Sequence, residues 1–186
     1  MKVLIALLLL ALAAILAKTM LFGFRAQTPE DYSKTGPDFI LKKHLSGTIL
    51  SEGLIYGPKG RVTNSFVARM QGTWDGNQGT LSEDFTYSNG SVQRRKWYLT
   101  FGAGNRFTAT ADDIVGEATG IVSGSTVMLE YRIILPEDAG GYTLDVTDWM
   151  YLAANGTILN RSEMRKFGIK VAELVATMRP DPGADK

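Results

Sequence analysis

No cysteine occurs in the 186 residues, and His44 is the one histidine. The first absence excludes disulfides, thiolate metal sites, cysteine nucleophiles and the cysteine-borne anchor of bacterial lipoproteins. A lone histidine cannot build a multi-histidine metal site, so His44 reads as an ordinary surface or satisfied residue. Neither sign of charge dominates, with 20 Lys and Arg against 19 Asp and Glu. A nucleic-acid surface would show a basic stripe, and none is present, so nucleic acid is not an expected partner. Also missing are a Gly-x-Ser-x-Gly elbow, a phosphate-cradling loop and a dinucleotide fingerprint. The run Gly102-Ala103-Gly104-Asn105 is a single glycine-rich turn. No cofactor is implied.

What is present begins with "MKVLIALLLLALAAILAKTMLFGF". Lys2 and the amino terminus are positive, and Val3 to Ala17 is uninterrupted apolar sequence. Such a segment is a signal peptide or membrane anchor rather than part of a globular core. Ala11-Leu12-Ala13 offers a cleavage site but leaves a short apolar region. Extended to Phe24 the run would reach about 33 Å as a helix, long enough for a bilayer core. The reading leans to an uncleaved anchor over a cleaved signal. Either way the protein is expected in the cell envelope, anchored to the inner membrane facing the periplasm or exported to the periplasm.

Residues 1–25 form the anchor or signal, and they carry three basic residues and no acid. Residues 26–37, polar and with Pro29 and Pro37, read as a linker. The domain proper spans 38–178, and 179–186 reads as a disordered tail. Asp38 to Ser46 suggests a short helix or turn packed across one end of the domain. From Gly47 onward, runs of alternating polarity are separated by Gly- or Asn-containing turns. They place strands near 48–56, 61–71, 79–88, 91–101, 105–111, 114–122, 126–135, 141–153, 157–166 and 169–178. No connection has room for a crossover helix, so the meander must close or split to protect its edges. The expected fold is all-β: an antiparallel up-and-down β-barrel of calycin or lipocalin-like type, with a β-sandwich as runner-up.

Turn chemistry then suggests registers. Asn89-Gly90 as a two-residue type I′ turn sets Asp84 opposite Arg95 and Glu83 opposite Lys96. Gly124-Ser125 as a II′ turn sets Glu117 opposite Arg132. Asn155-Gly156 sets Tyr151 opposite Asn160, Met150 opposite Arg161 and Asp148 opposite Glu163. One face of that hairpin then carries Trp149, Tyr151, Asn160 and Ser162, the other Asp148, Met150, Arg161 and Glu163. Which face looks inward stays open.

Paired catalytic carboxylates are not supported locally, because Glu83-Asp84 and Asp112-Asp113 are adjacent, and neighbours in a strand point to opposite faces. Gln93, Arg95, Trp97, Leu99 and Phe101 alternate onto one face, an apolar wall with an arginine in it. Such a wall suits an acyl chain ending in a carboxylate or phosphate, which a guanidinium binds in bidentate fashion. Candidate ligand-binding residues are Arg95, Trp97, Trp149, Tyr151, Asn160 and Arg161, with no catalytic and no metal site assigned. The preferred function is binding of a lipid or fatty acid. The alternatives are an isomerase or cyclase using Tyr151, Asp148 or Glu163 as acid and base, and an interaction protein whose barrel is filled by its own aromatic side chains.

Three stretches, "QGTWDGNQGTLSEDFTYSNGSVQRRKWYL" (71–99), "TADDIVGEATG" (110–120) and "DWMYLAANGTILNRSEMRKFGIKVAEL" (148–174), resemble an uncharacterised family of proteobacterial envelope proteins, a domain of unknown function. The resemblance implies a lipocalin-like barrel outside the cytoplasm, loosely associated with membrane fatty-acid modification, with lipid-modifying enzymes as partners. It implies lipoprotein relatives, from which this chain departs by having no cysteine, so the apolar N-terminal segment is its available anchor. Gly47-Thr48-Ile49 stands where a classical lipocalin has Gly-x-Trp.

Overall fold

The computed structural model describes residues 1–183. Helix α1 spans Lys2–Leu21, and the one-turn helix α2 spans Leu41–His44. Ten strands follow: β1 Gly47–Tyr56, β2 Val62–Asp75, β3 Gln78–Tyr87, β4 Val92–Phe101 and β5 Arg106–Thr110. The remainder are β6 Ala118–Ser123, β7 Thr126–Ile134, β8 Thr143–Leu152, β9 Ile158–Lys166 and β10 Ile169–Pro180. Each strand pairs antiparallel with its chain neighbours, and β10 returns to β1 from Ile49↔Pro180 to Tyr56↔Glu173. The sheet is thereby a closed up-and-down barrel, as expected from the meander. Alternation does the sorting: Phe66, Ala68 and Met70 are buried on β2 while Val67, Arg69 and Gln71 between them are exposed.

One end of the barrel is plugged. α2 crosses it with Leu41 and Leu45 buried among the core residues. Lys42 Nζ donates to Gly76 O at 2.6 Å, and Trp74 Nε1 donates to Leu45 O at 3.1 Å. Gly72 makes the close approach possible, because a Cβ there would lie 1.8 Å from the Leu45 carbonyl oxygen. The other end, formed by the β1–β2, β3–β4, β5–β6, β7–β8 and β9–β10 connections, has no such plug.

The expected linker is instead an ordered strap on the outer barrel wall. Short 3-10 turns at Phe24–Ala26 and Pro29–Tyr32 carry it, the second with a Thr28/Asp31 capping box. Tyr32 packs on Trp149 at 5.3 Å and on Tyr151 at 5.7 Å between ring centroids. Gln27 Oε1 accepts hydrogen bonds from both Tyr32 and Tyr151, each 2.5 Å. The aromatic residues inside a polar stretch are what turn a linker into packed structure. The expected tail also begins later than 179, since Arg179 and Pro180 belong to β10 and Asp181 pairs with Arg69 at 2.8 Å. Residues 184–186 of that tail lie outside the described residues. Along α1, Val3, Leu4, Leu8 and Leu10 are exposed. Among the described residues, no helix is long and apolar enough to cross a membrane.

Two of the three expected registers are corrected by one residue. β3 and β4 pair Glu83 with Arg95 and Asp84 with Arg94, and β8 and β9 pair Asp148 with Ser162, Met150 with Asn160 and Trp149 with Arg161. In each case the loop has three residues rather than two and ends in a glycine at positive φ, Gly90 at 85° and Gly156 at 83°. Gly124-Ser125 is the expected two-residue turn, with Ser123 opposite Thr126. Only its glycine has positive φ, as a II′ turn requires. However, β6 begins at Ala118, so Glu117 lies outside the ladder, and it is Val115 N that donates to Arg132 O.

Replacing Gly72 by Ala drives a methyl group into the plug. Gly72→Ala is expected to lower unfolding free energy by about 1–3 kcal/mol, the usual range for overpacking. Urea titration measures it, and an unchanged midpoint would show that α2 does not bear on the barrel end.

Candidate functional site

The barrel is not filled by its own side chains. A cavity of about 850 Å³ runs inward from the unplugged end. Its volume falls in the range of roughly 300–1,000 Å³ typical of small-molecule sites. Leu41 and Leu45 of the plug form its floor, and Phe66, Met70, Leu81, Leu99, Phe107 and Leu129 are among its apolar walls.

A polar cluster interrupts those walls. Period-two alternation aims Gln93, Arg95, Trp97 and Leu99 of β4 into the cavity, as their spacing implied. The Arg95 guanidinium lies 4.3 Å over the Trp97 ring and 5.8 Å from the Tyr131 ring. Its Nε donates to Asp113 at 3.0 and 2.8 Å to the two carboxylate oxygens. Glu83, directly across the ladder, is 3.9 Å away, beyond hydrogen-bonding distance. Arg95 Nη2 and Glu83 Oε2 are buried and have no hydrogen-bond partner in the protein. Asp148 completes the cluster from β8, accepting hydrogen bonds from Asn160 Nδ2 and, at 2.9 Å, from Ser162 Oγ.

This cluster is rich in carboxyl groups. Among the described residues lining the cavity, Arg95 is the one basic residue, against Glu83, Asp112, Asp113, Glu137 and Asp148. Burial pushes Glu83 up to about 7; Arg95 opposes the shift, while Asp148 and Asp113 add to it. Burial also raises Asp148, against its hydrogen bonds from Ser162 and Asn160. Two carboxyl groups are therefore shifted toward holding their protons longer than a free carboxyl does, beside one guanidinium. Tyr131 is held above the ordinary phenol range, again by burial first, and stays protonated.

Of the six residues singled out from sequence, Arg95, Trp97 and Asn160 line the cavity. Trp149, Tyr151 and Arg161 do not, because the extra turn residue puts Asp148, Met150, Asn160 and Ser162 on the inner face. Trp149 is 1 % exposed, yet it is covered by the strap from outside the barrel. Arg161 lies on that outer surface too, under the Phe24 ring at 4.9 Å, with its Nε bonded to Glu173 at 2.7 Å. Glu163 joins Arg165 in the same outer network. Neither Tyr151 nor Glu163 can therefore serve as acid or base inside the barrel. Asp113 was set aside because strand neighbours diverge, but Asp112 and Asp113 sit in a loop and both reach the cavity. Glu83, Asp113 and Tyr131 are the residues that sequence reasoning missed. Among the described residues, no group of three or more His, Asp or Glu side chains could hold a metal ion.

The buried Glu83 carboxyl ties stability to pH. Its folded-state pKa exceeds the unfolded value, so its contribution is full below the unfolded pKa and is lost as pH rises through about 7. The loss is up to roughly 3 kcal/mol. Relative to wild type, Glu83→Gln is expected to gain stability by that order between pH 4.5 and 7.5. Urea unfolding at a series of pH values checks it, and parallel pH curves for the two proteins would contradict a buried, proton-holding Glu83.

Comparison with solved structures finds the same fold in other proteins. An S-type phycobiliprotein lyase, CPES from Guillardia theta, aligns with 84% of this chain and 99% of its own at a TM-score of 0.58 and 7% identity. Rv2717c from M. tuberculosis aligns with 80% of this chain and 99% of its own at a TM-score of 0.54 and 14% identity. At such identities the likeness speaks for the fold. No curated protein matches the sequence. Residues 18–180 match a family profile described as protein of unknown function (DUF3833), covering the strap, the plug and all ten strands, and the chain belongs to that DUF3833 family.

Proposed function

We propose that the protein binds an acyl compound, a fatty acid or a fatty-acyl lipid, with the chain along the apolar walls and the polar end at the Arg95–Glu83 cluster. The observation that carries the reading is the pair of orphaned buried atoms, Arg95 Nη2 and Glu83 Oε2, inside a large apolar cavity plugged at one end. A buried polar atom left unpaired costs about 1–3 kcal/mol, which a ligand group that both donates and accepts removes. A carboxyl group does this if one proton is shared between it and Glu83, while Arg95 Nη2 donates to its second oxygen. A phosphate with two negative charges fits less well, because the carboxyl-rich cluster repels it. The apolar run Val3–Ala17 tethers the barrel to a membrane on the envelope side. The barrel acts there as a carrier or accessory to lipid-modifying enzymes.

A second reading follows from Glu83 itself. A carboxyl held at about 7 in an apolar cavity, with Asp148 and the protonated Tyr131 nearby, is suited to proton transfer on an unsaturated acyl substrate. The same fold houses an enzyme in the phycobiliprotein lyase. Isomerisation or cyclisation would then be lost in Glu83→Gln while binding persisted.

Two experiments test the binding reading. Mass spectrometry of organic extracts of the purified full-length protein is expected to return one acyl compound per chain. With decanoate as probe, affinity should fall about tenfold per pH unit above 7, because binding the anion requires the Glu83 proton, and Glu83→Gln should flatten the profile. Empty extracts together with no decanoate binding to folded protein would overturn the proposal.

A further inference from the structure

The mouth of the cavity carries a surface that the barrel itself does not need. β9 and β10 are joined by a two-residue turn, Phe167-Gly168, with both residues at positive φ, 53° and 78°. Turns of that kind favour Asn, Asp or Gly at the first position, and a bulky side chain there is strained. Phe167 nevertheless occupies it, with its side chain 91% exposed. Ile169 beside it is 69% exposed, and Tyr142 on the β7–β8 connection and Val62 at the start of β2 are 52% and 51% exposed. Neither turn geometry nor core packing accounts for an aromatic ring at this tip.

Beside it Glu163 and Glu173 are neutralised by Arg165 and Lys170, and three further cations stand around the tip. Lys166 sits 3.4 Å over the Tyr142 ring. Tyr56 pairs with Glu173, which sets the β1–β2 loop, with Lys59 and Arg61, alongside the start of β10. Among the described residues none of Lys59, Arg61 and Lys166 has an acidic partner within ion-pair distance. Of the rim acids, Asp112 and Glu117 lie on the β5–β6 connection, away from this tip, while Glu137 shares the neighbouring β7–β8 connection with Tyr142. An apolar tip flanked by unpaired cations has the composition of an interfacial membrane-binding surface, in which the ring enters the acyl boundary and the cations meet anionic headgroups.

We propose that this arc of the rim, Phe167 and Ile169 flanked by Lys59, Arg61 and Lys166, docks the barrel on an anionic lipid surface. The barrel then stands tilted, the β1–β2 and β9–β10 connections down, the acidic β5–β6 connection off the surface and its cavity mouth at the headgroup level. This docking is separate from what the cavity holds and from any tether supplied by α1, since its residues lie on the β1–β2 and β9–β10 connections and their flanks.

The absence of native cysteine allows a single-label test on the full chain. An environment-sensitive fluorophore is attached at Phe167→Cys, at Ile169→Cys, or at Ala154→Cys on the plugged end. Each protein is mixed with phosphatidylcholine vesicles with or without phosphatidylglycerol, some carrying nitroxide-labelled acyl chains. The labels at 167 and 169 are expected to shift to the blue and be quenched on the anionic vesicles, while the label at 154 stays solvent-exposed. Reversing Lys59, Arg61 and Lys166 to Glu should abolish the response at 169. Phe167→Asn, the residue type the turn favours, should weaken it at least fivefold while the thermal midpoint holds or rises. Vesicle association with no response at 167 or 169 leaves α1 as the only contact and overturns rim docking. Protection at 154 overturns it by reversing the orientation, and no association with either vesicle assigns the patch to a protein partner instead.

Discussion

Closure of the sheet by the β1–β10 ladder is the constraint on which the rest depends. With eight residue pairs joining first strand to last, the barrel has no edge strand to protect. It also acquires an inside, and every second residue of ten strands must live there. Most of those residues are apolar, and they pack on α2 at the plugged end. Beyond it the opposite walls do not meet, and a cavity of about 850 Å³ is left between the plug and the mouth. Closure also brings Glu83, Arg95, Tyr131 and Asp148, from four different strands, to one depth of that cavity.

That cluster is an unusual thing for a fold to keep. A guanidinium with one nitrogen unbonded and a carboxyl with one oxygen unbonded contribute nothing to the core that apolar side chains would not contribute better. Asp113 satisfies part of Arg95 from a loop, and Asn160 and Ser162 satisfy Asp148 from the neighbouring strand. Glu83 receives no comparable support and answers burial by holding its proton to about neutral pH. The polar cluster is thus complete on two sides and open on the side that faces the cavity.

The strands were legible from sequence because polarity alternates within each run and turns punctuate them. The inward set of β4 was legible for the same reason, since Arg95, Trp97 and Leu99 are related by period two alone. Pairing across hairpins was harder. Arg94, Arg95 and Lys96 are three cations in succession, so Glu83 and Asp84 find opposite charges in either register, and charge pairing could not discriminate. A glycine at positive φ serves both a two-residue and a three-residue loop, and one residue of slip moves a strand's side chains to the other face. Trp149, Tyr151 and Arg161 were misplaced by that slip. The signal that could have corrected it was Asp148 alternating with Met150 and Leu152, an acid on an otherwise apolar inner face. Asp113 was not legible, because its contact with Arg95 depends on loop geometry that no local period encodes.

The misplacement exposes a division of labour between the two surfaces of β8 and β9. Their inner face supplies Asp148, Asn160 and Ser162 to the cavity, while their outer face supplies Trp149 and Tyr151 to the strap and Arg161 and Glu163 to an ion network. The strap runs from Phe24 over Arg161 to the Gly124 turn, where Phe39 N donates to Gly124 O before the chain enters the plug. One continuous segment therefore covers the outer wall and then closes the barrel end. Any force on α1 reaches α2 through that segment, and α2 is the floor of the cavity. The mouth, at the far end, keeps no such covalent link, and it presents the exposed ring of Phe167 and the cations around it. The end that presents those groups is accordingly the open way into the cavity, while the plugged end is fixed by Gly72, Trp74 and Leu45.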